Sequence, residues 1–332
     1  MDELHGVHWA YRVTASGRGT RLTNREEIAS ALESALDDET PDSYLWVHLN
    51  HADPGTIDWL KKTADFHPIV VDALLAPETR PRVAVMDDGA LVILRGVNLN
   101  PGADPEDMVS VRVWVDKHCI VSVQLRRLMA VHAMAEALEA GNGPGRTGDW
   151  LVKVADGLIE RMGPIVLEMR ETVDEMEERL LEKNARIERG ELVDVRRDAI
   201  ILRRYIAPQR DALTQLLKEP LEWINEDDRE NLKEVVYDVS RLVEDLDALR
   251  DRAVVVDDEI DHRQAERMNR TMYVLSVLAG VFLPLTVLTG LLGINVGGIP
   301  LANEPWGFAA VCVILIGLTA IELIALRKMR WL

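Results

Sequence analysis

Two long apolar stretches lie at the end of the chain and differ from the mixed pattern before them. Residues 271–292 are twenty-two positions without a charged side chain. As a helix, this stretch is long enough to cross a hydrocarbon core of about 30 Å. Residues 306–326 are apolar except for Glu322 near their end. Because only residues 293–305 separate the two stretches, the pattern predicts a hairpin of two transmembrane helices.

The charges beside these stretches predict their orientation. The connecting segment has no Lys or Arg, whereas basic residues flank the outer ends: Arg263, Arg267 and Arg270 before the first stretch, and Arg327, Lys328 and Arg330 after the second. Since positive charge collects on the cytoplasmic side, both termini are expected in the cytoplasm. Two core helices of a soluble protein are the alternative, but the rest of the chain is not apolar enough to cover them.

The first 125 residues have the irregular alternation of an α/β domain. Runs rich in Val, Ile, Trp and Tyr predict strands at 7–14, 44–49, 82–86, 90–98, 109–115 and 119–124, and helical patterns cover 24–36 and 56–64. Residues 141–149, GNGPGRTGD, have the composition of a linker. A cytoplasmic α/β domain is therefore placed at 1–148.

Beyond the linker the pattern is helical, with breaks at 184–190 and 219–220. From residue 225, apolar residues recur every three or four positions as in a coiled-coil seam: Leu232, Val235, Val239, Leu242, Leu246, Leu249, Ala253, Val256 and Ile260. No Pro or Gly follows before Gly280, so one helix of about 100 Å is predicted to run into the membrane. Such a helix needs partners along its length, from the same chain or from other subunits.

Small and hydroxyl-bearing residues dominate one face of the first apolar stretch. At steps of three and four, this face holds Met272, Ser276, Ala279, Leu283, Thr286, Gly290 and Gly293. It suits either close helix packing or the lining of a narrow pore, and the spacing leaves both open. Two apolar helices cannot enclose a polar path alone, so a pore would require an oligomer.

The charge of the chain limits its function. Among 332 residues the formal net charge is −18, and since residues 270–332 hold four basic and two acidic side chains, the first 269 carry −20. Such an acidic part argues against nucleic-acid binding. Two runs are rich in acidic residues. Residues 171–191 hold eight acidic and four basic side chains, and residues 238–261 hold nine acidic and three basic side chains. They are either a solvated surface or, around an oligomer axis, a vestibule that concentrates cations.

Other chemistry is sparse. Cys119 and Cys312 have no second thiol at motif spacing, so neither a disulfide framework nor a Cys-rich zinc site is predicted. His48 and His51 lie three apart at a strand end and are not expected to converge on a metal. The acidic N-terminal segment lacks an apolar core, so no signal peptide is expected. Without a P-loop, nucleophile motif or HExxH, no enzyme, ATP-driven pump or cofactor is expected.

Gly293-Ile294-Asn295 directly follows the first apolar stretch, FLPLT at 282–286 precedes it, and KMRWL ends the chain. These motifs resemble the CorA metal ion transporter family, whose hallmark at this place is Gly-Met-Asn. Ile294 in place of Met, GGIP at 297–300 and RGVNLNPGADPEDMVSVRVW at 95–114 are similar to the zinc-transporting ZntB subgroup of that family. The resemblance extends over nearly the whole chain.

The resemblance implies a fold and an assembly. The fold is an α+β cytoplasmic domain followed by a long α-helical stalk and two C-terminal transmembrane helices, assembled as a CorA-like funnel-shaped homopentamer in the bacterial inner membrane. Five first-span helices surround the pore, and the second helices lie outside. The corresponding segments are the cytoplasmic domain 1–148, the stalk 149–270, the first span 271–295, a periplasmic loop 296–305, the second span 306–326 and a basic tail 327–332.

The same resemblance assigns site residues. Gly293, Ile294 and Asn295 correspond to a selectivity filter, and the pore-lining positions are Asn269, Met272, Leu275, Leu283, Thr286 and Gly290. A ring of Asn295 carboxamides can hydrogen-bond to the waters of an ion without stripping them. A carboxylate or thiolate ring would hold a divalent ion more tightly. From spacing alone, Asn295 could equally be a cap or turn residue.

Two acidic residues lie in or beside the membrane. Glu304 is expected at the outer mouth, where an ionised carboxylate attracts cations. Glu322 lies near Arg327 and is expected to reach the cytoplasmic surface or to form an ion pair.

Three functions remain open on the sequence. The first is zinc transport, with uptake, efflux and proton coupling all possible, and with divalent metal ions and the lipid bilayer as partners. The second is a magnesium or cobalt channel of the CorA type. The third is a membrane-anchored scaffold or sensor that conducts nothing. The apolar stretches contain no His, so zinc is implied by the subgroup resemblance and by no ligand set, and the location of any metal site is unknown.

Overall fold

A computed structural model describes residues 6–36, 43–62, 64, 66–77, 79–182, 189–294, 299–300 and 304–328. The chain divides into two compact units, Met1–Asp257 and Asp258–Leu332. The first contains a mixed sheet and most of the helices. The second contains the two apolar stretches.

The first unit is built on a seven-stranded sheet in the order β2-β1-β3-β7-β6-β5-β4. Its strands are β1 (Val7–Thr14), β2 (Gly19–Leu22), β3 (Ser43–Asn50), β4 (Arg82–Met86), β5 (Gly89–Gly96), β6 (Val109–Val115) and β7 (Cys119–Gln124). Central β3 and β7 pair in parallel, and the other neighbours pair antiparallel. β3 and β7 are buried on both faces and largely apolar, as expected of central strands covered by helices, and their buried polar residues include His48 and Ser122.

Helices cover both faces of this sheet. The helices of this unit are α1 (Arg25–Leu36), α2 (Pro54–Lys62), α3 (Pro68–Leu74), α4 (Met129–Ala140), α5 (Thr147–Glu160), α6 (Gly163–Leu181) and α7 (Arg189–Lys218). A smaller hydrophobic cluster joins one face to α1, α2 and α3. A larger cluster joins the other face to α4, α5, α6, α7 and the seam up to Leu249. The helices after residue 146 therefore share one core with the sheet.

The longest element is helix α8 (Glu226–Leu292), with 67 residues. Every predicted seam residue from Leu232 to Ile260 is buried, which confirms the repeat. The predicted break at 219–220 is confirmed, because α7 ends at Lys218 and α8 begins at Glu226. Of the predicted break at 184–190, residues 184–188 lie outside the described residues, and 189–190 are the first two residues of α7. The apolar helix α9 (Gly307–Lys328) completes the predicted fold class.

The sequence pattern missed the short elements β2 and α3 and the twelve-residue helix α4. β2 is a four-residue edge strand of sequence GTRL, too short and polar to show alternation. α3 has seven residues, and His67 caps it by accepting a hydrogen bond from the N–H of Ile69. α4 ends at Gly141, whose φ of 78° is the left-handed conformation that favours glycine. That glycine marks a helix end inside the predicted linker.

Candidate functional site

The second unit presents two helices long and apolar enough to cross a membrane. The most apolar part of α8 has a mean hydropathy of 2.2, and that of α9 has a mean hydropathy of 2.6. No residue in either of these parts is buried in the single chain. Such surface is costly in water and favourable in hydrocarbon. The two helices thus match the predicted spans in length and composition.

A groove of about 590 Å³ separates α8 from α9. Its walls are apolar apart from three threonines: Phe282, Leu285, Thr286, Thr289, Leu315, Ile316, Thr319, Ala320 and Leu323. Thr286, Thr289 and Thr319 each donate a hydrogen bond to the carbonyl oxygen four residues earlier, at 2.7, 2.9 and 2.8 Å. Because the hydroxyls are satisfied within their own helices, the groove is compatible with an apolar surrounding.

The predicted pore-lining residues occupy a face of α8 next to this groove. All of them are exposed in the single chain: Asn269, Met272, Leu275, Leu283, Thr286 and Gly290. Leu283 is 67% exposed and Leu275 59%. Of this set only Thr286 also lines the groove. The structure thus brings the predicted residues onto one helix face, and α9 lies along the adjoining face.

The small residues on the two apolar helices leave space around the backbone. A Cβ atom built on Gly290 would meet no described atom within 4 Å, and the same holds for Gly280 and Gly317. In membranes, small residues allow helices to approach closely, so these positions are suited to contacts beyond the single chain.

The described part of α8 ends immediately before the predicted filter. The N–H of Gly293 donates hydrogen bonds to the carbonyl oxygens of Thr289 at 2.9 Å and Gly290 at 3.2 Å. Ile294 is 50% exposed. Asn295 lies outside the described residues, as do 296–298 and the tail residues 329–332. The filter role of Asn295 remains a prediction.

The two membrane-proximal carboxylates differ in environment. Glu304 is exposed, and its carbonyl oxygen accepts a hydrogen bond from the N–H of Gly307, the first residue of α9. Glu322 is half-buried, and its Oε2 atom has no hydrogen-bond partner among the described residues. No ion pair joins Glu322 to Arg327 in the part of the chain that the structure describes. A buried carboxylate oxygen in an apolar helix is a candidate for function.

Arginines neutralise part of the acidic runs. Arg252 of α8 donates hydrogen bonds to Asp174 and to both oxygens of Glu177 on α6, which raises the pKa of Arg252. Further pairs to α8 are Arg170–Asp245 at 2.8 Å, Arg203–Asp247 at 2.5 Å and Arg189–Asp257 at 2.7 Å. In the single chain these runs are thus ion-paired surfaces as well as solvated ones.

Metal ligands do not converge within the described residues, where no group of three or more His, Cys, Asp or Glu side chains could hold an ion. His48 is buried and its Nδ1 lies 2.7 Å from Ser122 Oγ, whereas His51 Nε2 lies 3.0 Å from the carbonyl oxygen of Leu75. Burial lowers the pKa of His48 to about 3, so this imidazole is neutral. The two histidines have separate partners, as expected.

One carboxylate cluster lies between α5 and α8. Asp156 lies on the surface of α5, where partial burial of its carboxyl raises its pKa and the nearby carboxylates of Glu160 and Asp238 raise that pKa further. A carboxyl whose pKa is higher in the folded chain destabilises that chain when ionised, and this cost disappears as the pH falls and the group is protonated.

We therefore expect Asp156→Asn to raise the melting temperature near pH 7 and to have a smaller effect near about pH 4. Thermal unfolding across this pH range measures the difference. Glu171→Gln, at an exposed carboxylate of α6, is the control for loss of one negative charge. A gain that grows as the pH falls would contradict the assignment.

Comparisons with known proteins identify the family. Residues 41–328 match the family described as CorA-like Mg2+ transporter protein. The divalent cation transporter CmaX of Pseudomonas aeruginosa is 40% identical over 332 residues, covering 98% of this chain and 97% of that protein. The zinc transport protein ZntB of Yersinia enterocolitica is 37% identical over 332 residues, covering 100% of both chains.

Solved structures agree with this match. The full-length CmaX protein superposes with a TM-score of 0.86 at 38% identity, covering 98% of both chains. The CorA magnesium transporter of Methanocaldococcus jannaschii superposes with a TM-score of 0.78 at 18% identity, covering 97% of this chain and 98% of that one, and shows the shared fold. With its two apolar helices this chain is a membrane protein, and it belongs to the CorA family of metal ion transporters.

Proposed function

We propose that this chain forms a homopentamer in the bacterial inner membrane and transports zinc through a central pore lined by α8. The observation that carries the proposal is the exposed face of α8 from Asn269 to Gly290, of which only Thr286 also lines the groove beside α9. In the sequence this face is followed by Gly293-Ile294-Asn295. A face of this kind needs partners, and equivalent faces around an axis would form a pore. Zinc is supported by the similarity to ZntB over the whole chain.

The proposed path combines apolar and weakly polar surfaces. Met272, Leu275 and Leu283 supply apolar rings, with Leu283 as a constriction, and Thr286 supplies a polar step. The Thr286 hydroxyl donates to the carbonyl of Phe282, so its oxygen is free to accept from water. A ring of Asn295 carboxamides at the outer end would contact hydrated ions. Neutral oxygen atoms along the path bind an ion weakly, so the ion can dissociate and move on through the pore.

The orientation follows from the charges, with both termini in the cytoplasm and the loop 296–305 in the periplasm. A cysteine introduced beside Asn303 should react with a membrane-impermeant maleimide added to intact spheroplasts. One introduced beside Lys328 should react only after lysis.

Flux into proteoliposomes tests the function. Purified full-length protein is reconstituted, and zinc, magnesium and cobalt uptake are measured separately with and without a proton gradient. We expect zinc uptake above that of protein-free vesicles. No flux of any of the three ions would contradict the proposal and favour a non-conducting scaffold.

Magnesium or cobalt transport is the second candidate, favoured by a specific observation. Among the described residues no cluster offers the nitrogen and sulfur ligands that zinc prefers, and the family match bears a magnesium description. Magnesium uptake that exceeds zinc uptake at equal concentration would favour magnesium transport over zinc transport. The proposal of a central pore would be unaffected.

Glu304 should attract cations to the outer mouth. We expect Glu304→Gln to reduce zinc uptake mainly at low ionic strength, because salt screens an exposed carboxylate. Proteoliposome uptake at low and physiological salt measures this effect.

Glu322→Gln tests the other candidate carboxylate. It should have a small effect on uptake, because Glu322 lies near the cytoplasmic end of α9, away from the outer mouth. Glu322→Gln could instead eliminate the effect of a pH gradient on zinc uptake while metal binding is retained. In that case α9 takes part in proton coupling, and the expectation that Glu322 has little effect on transport is wrong.

A further inference from the structure

A cavity of about 620 Å³ in the first unit is surrounded by arginines. Its described lining comprises Pro77, Thr79, Arg80, Arg95, Asp107, Met108, Val109, Ser110, Arg112, Leu125, Arg126, Arg204 and Tyr205. Five of these residues are arginines and one is acidic, so this lining carries a formal charge of +4. Asp107 pairs with Arg126. The sign of this local charge is opposite to that of the chain as a whole, whose formal net charge is −18.

Arg112 is the unusual member of this set. It lies on β6 opposite Ile93 of β5 and is only 1% exposed. Its Nε and Nη1 atoms are buried and have no hydrogen-bond partner among the described residues. Burial lowers the pKa of Arg112 to about 10, with a further contribution from the charge of Arg95, so the guanidinium remains charged at neutral pH. A buried cation without a partner is costly, and a bound anion would remove that cost.

The neighbouring arginines are held in fixed positions around the cavity. Arg95 follows Ile93 by two residues and so shares a sheet face with Arg112. Its guanidinium donates to the carbonyl oxygens of Thr79 and Met108, each at 2.8 Å, and lies 4.2 Å from the centre of the Tyr205 ring. Arg204 lies 4.8 Å from the same ring. The cationic lining is thus preorganised rather than a set of mobile side chains.

We propose that this cavity is a binding site for a soluble phosphate-bearing small molecule with two or more negative charges. Guanidinium groups match phosphate oxygens in bidentate geometry, and several around one cavity favour an anion of high charge. The volume lies in the range of small-molecule sites and exceeds what a single halide ion fills. Glu78 lies outside the described residues, so the charge count applies to the described lining.

Isothermal titration calorimetry of the full-length detergent-solubilised protein with inorganic pyrophosphate tests the site. We expect saturable binding that weakens as salt is added. Arg112→Gln should weaken it by about tenfold or more, because a hydrogen bond to a charged group contributes about 1.5–3 kcal/mol. Pyrophosphate should also raise the melting temperature of the wild-type protein.

The rim provides a second variant in case Arg112→Gln does not fold. Arg80→Gln combined with Arg126→Gln removes two exposed charges and should also weaken pyrophosphate binding. Arg12→Gln, at an exposed arginine of β1 away from the cavity, is the control and should not change the affinity. Orthophosphate, sulfate and succinate are titrated in parallel to define the ligand class.

Four results would overturn the proposal: no pyrophosphate binding to the wild-type protein, binding that the rim variant leaves unchanged, an equal loss in Arg12→Gln, or tighter binding of succinate than of pyrophosphate. A purely structural Arg112 would give a destabilised Arg112→Gln variant that still binds pyrophosphate with wild-type affinity. The proposed site leads to the opposite expectation, namely a folded Arg112→Gln variant that binds pyrophosphate about tenfold or more weakly.

Discussion

The Asn295→Ala variant is expected to lose zinc flux by about a hundredfold or more while its oligomer stays intact. Each amide-to-water hydrogen bond contributes about 1 kcal/mol, and in the proposed pentamer the substitution removes several of them at once from the ring. The change leaves the apolar face of α8 untouched, so the packing of the spans should not depend on it. Proteoliposome uptake and the native mass of the purified assembly measure the two effects separately.

Asn303→Ala is the matched control for this experiment. Asn303 belongs to the same connecting segment but lies outside the Gly-Ile-Asn motif. It should retain wild-type uptake. Normal uptake in Asn295→Ala would reject the filter role, and equal losses in both variants would assign the effect to the loop as a whole.

Patterns with a regular period predicted the architecture well. The alternation in the first 125 residues located β1, β4, β6 and β7 at their observed bounds. The nine positions predicted in α8 from steps of three and four are all buried, because burial on one side of a long helix leaves a regular spacing, and Val243 is buried beside them. The predicted pore-lining residues fall on one exposed face for the same reason. Periodicity is local, and local information suffices for such features.

The arginine cavity could not be predicted in this way. Its five arginines come from five separate parts of the chain, between Arg80 and Arg204, and each resembles an ordinary surface charge in the sequence. Only the register of β5 with β6 and the approach of α7 bring Arg95, Arg112 and Tyr205 together. A weak signal existed in Arg112, a charged residue within the otherwise apolar run VSVRVWV. Whether Arg112 is a surface residue or part of a binding site depends on its burial, and the sequence alone does not show that burial.

Replacing Gly290 with phenylalanine separates the two functions that the spacing of the α8 face leaves open. Gly290 has open space around it in the single chain, so the substitution should not disturb the fold of one subunit. If the face lines a pore, five aromatic rings enter the narrow path. Zinc uptake should then fall by about tenfold or more, since apolar rings narrow the path and exclude the water around the ion, while the pentamer persists.

Gly317→Phe on α9 is the matched control, because Gly317 is also a helical glycine with open space around it. In the proposed pentamer α9 lies outside the pore helices, so this variant should keep wild-type uptake. Native mass measurements and uptake are made on both variants. If the Gly290→Phe protein dissociates into subunits, the face serves helix packing alone. A ring in the lumen would obstruct ions, but it would not separate the subunits. A pentamer that still conducts at the wild-type rate would place the path for ions elsewhere on the molecule.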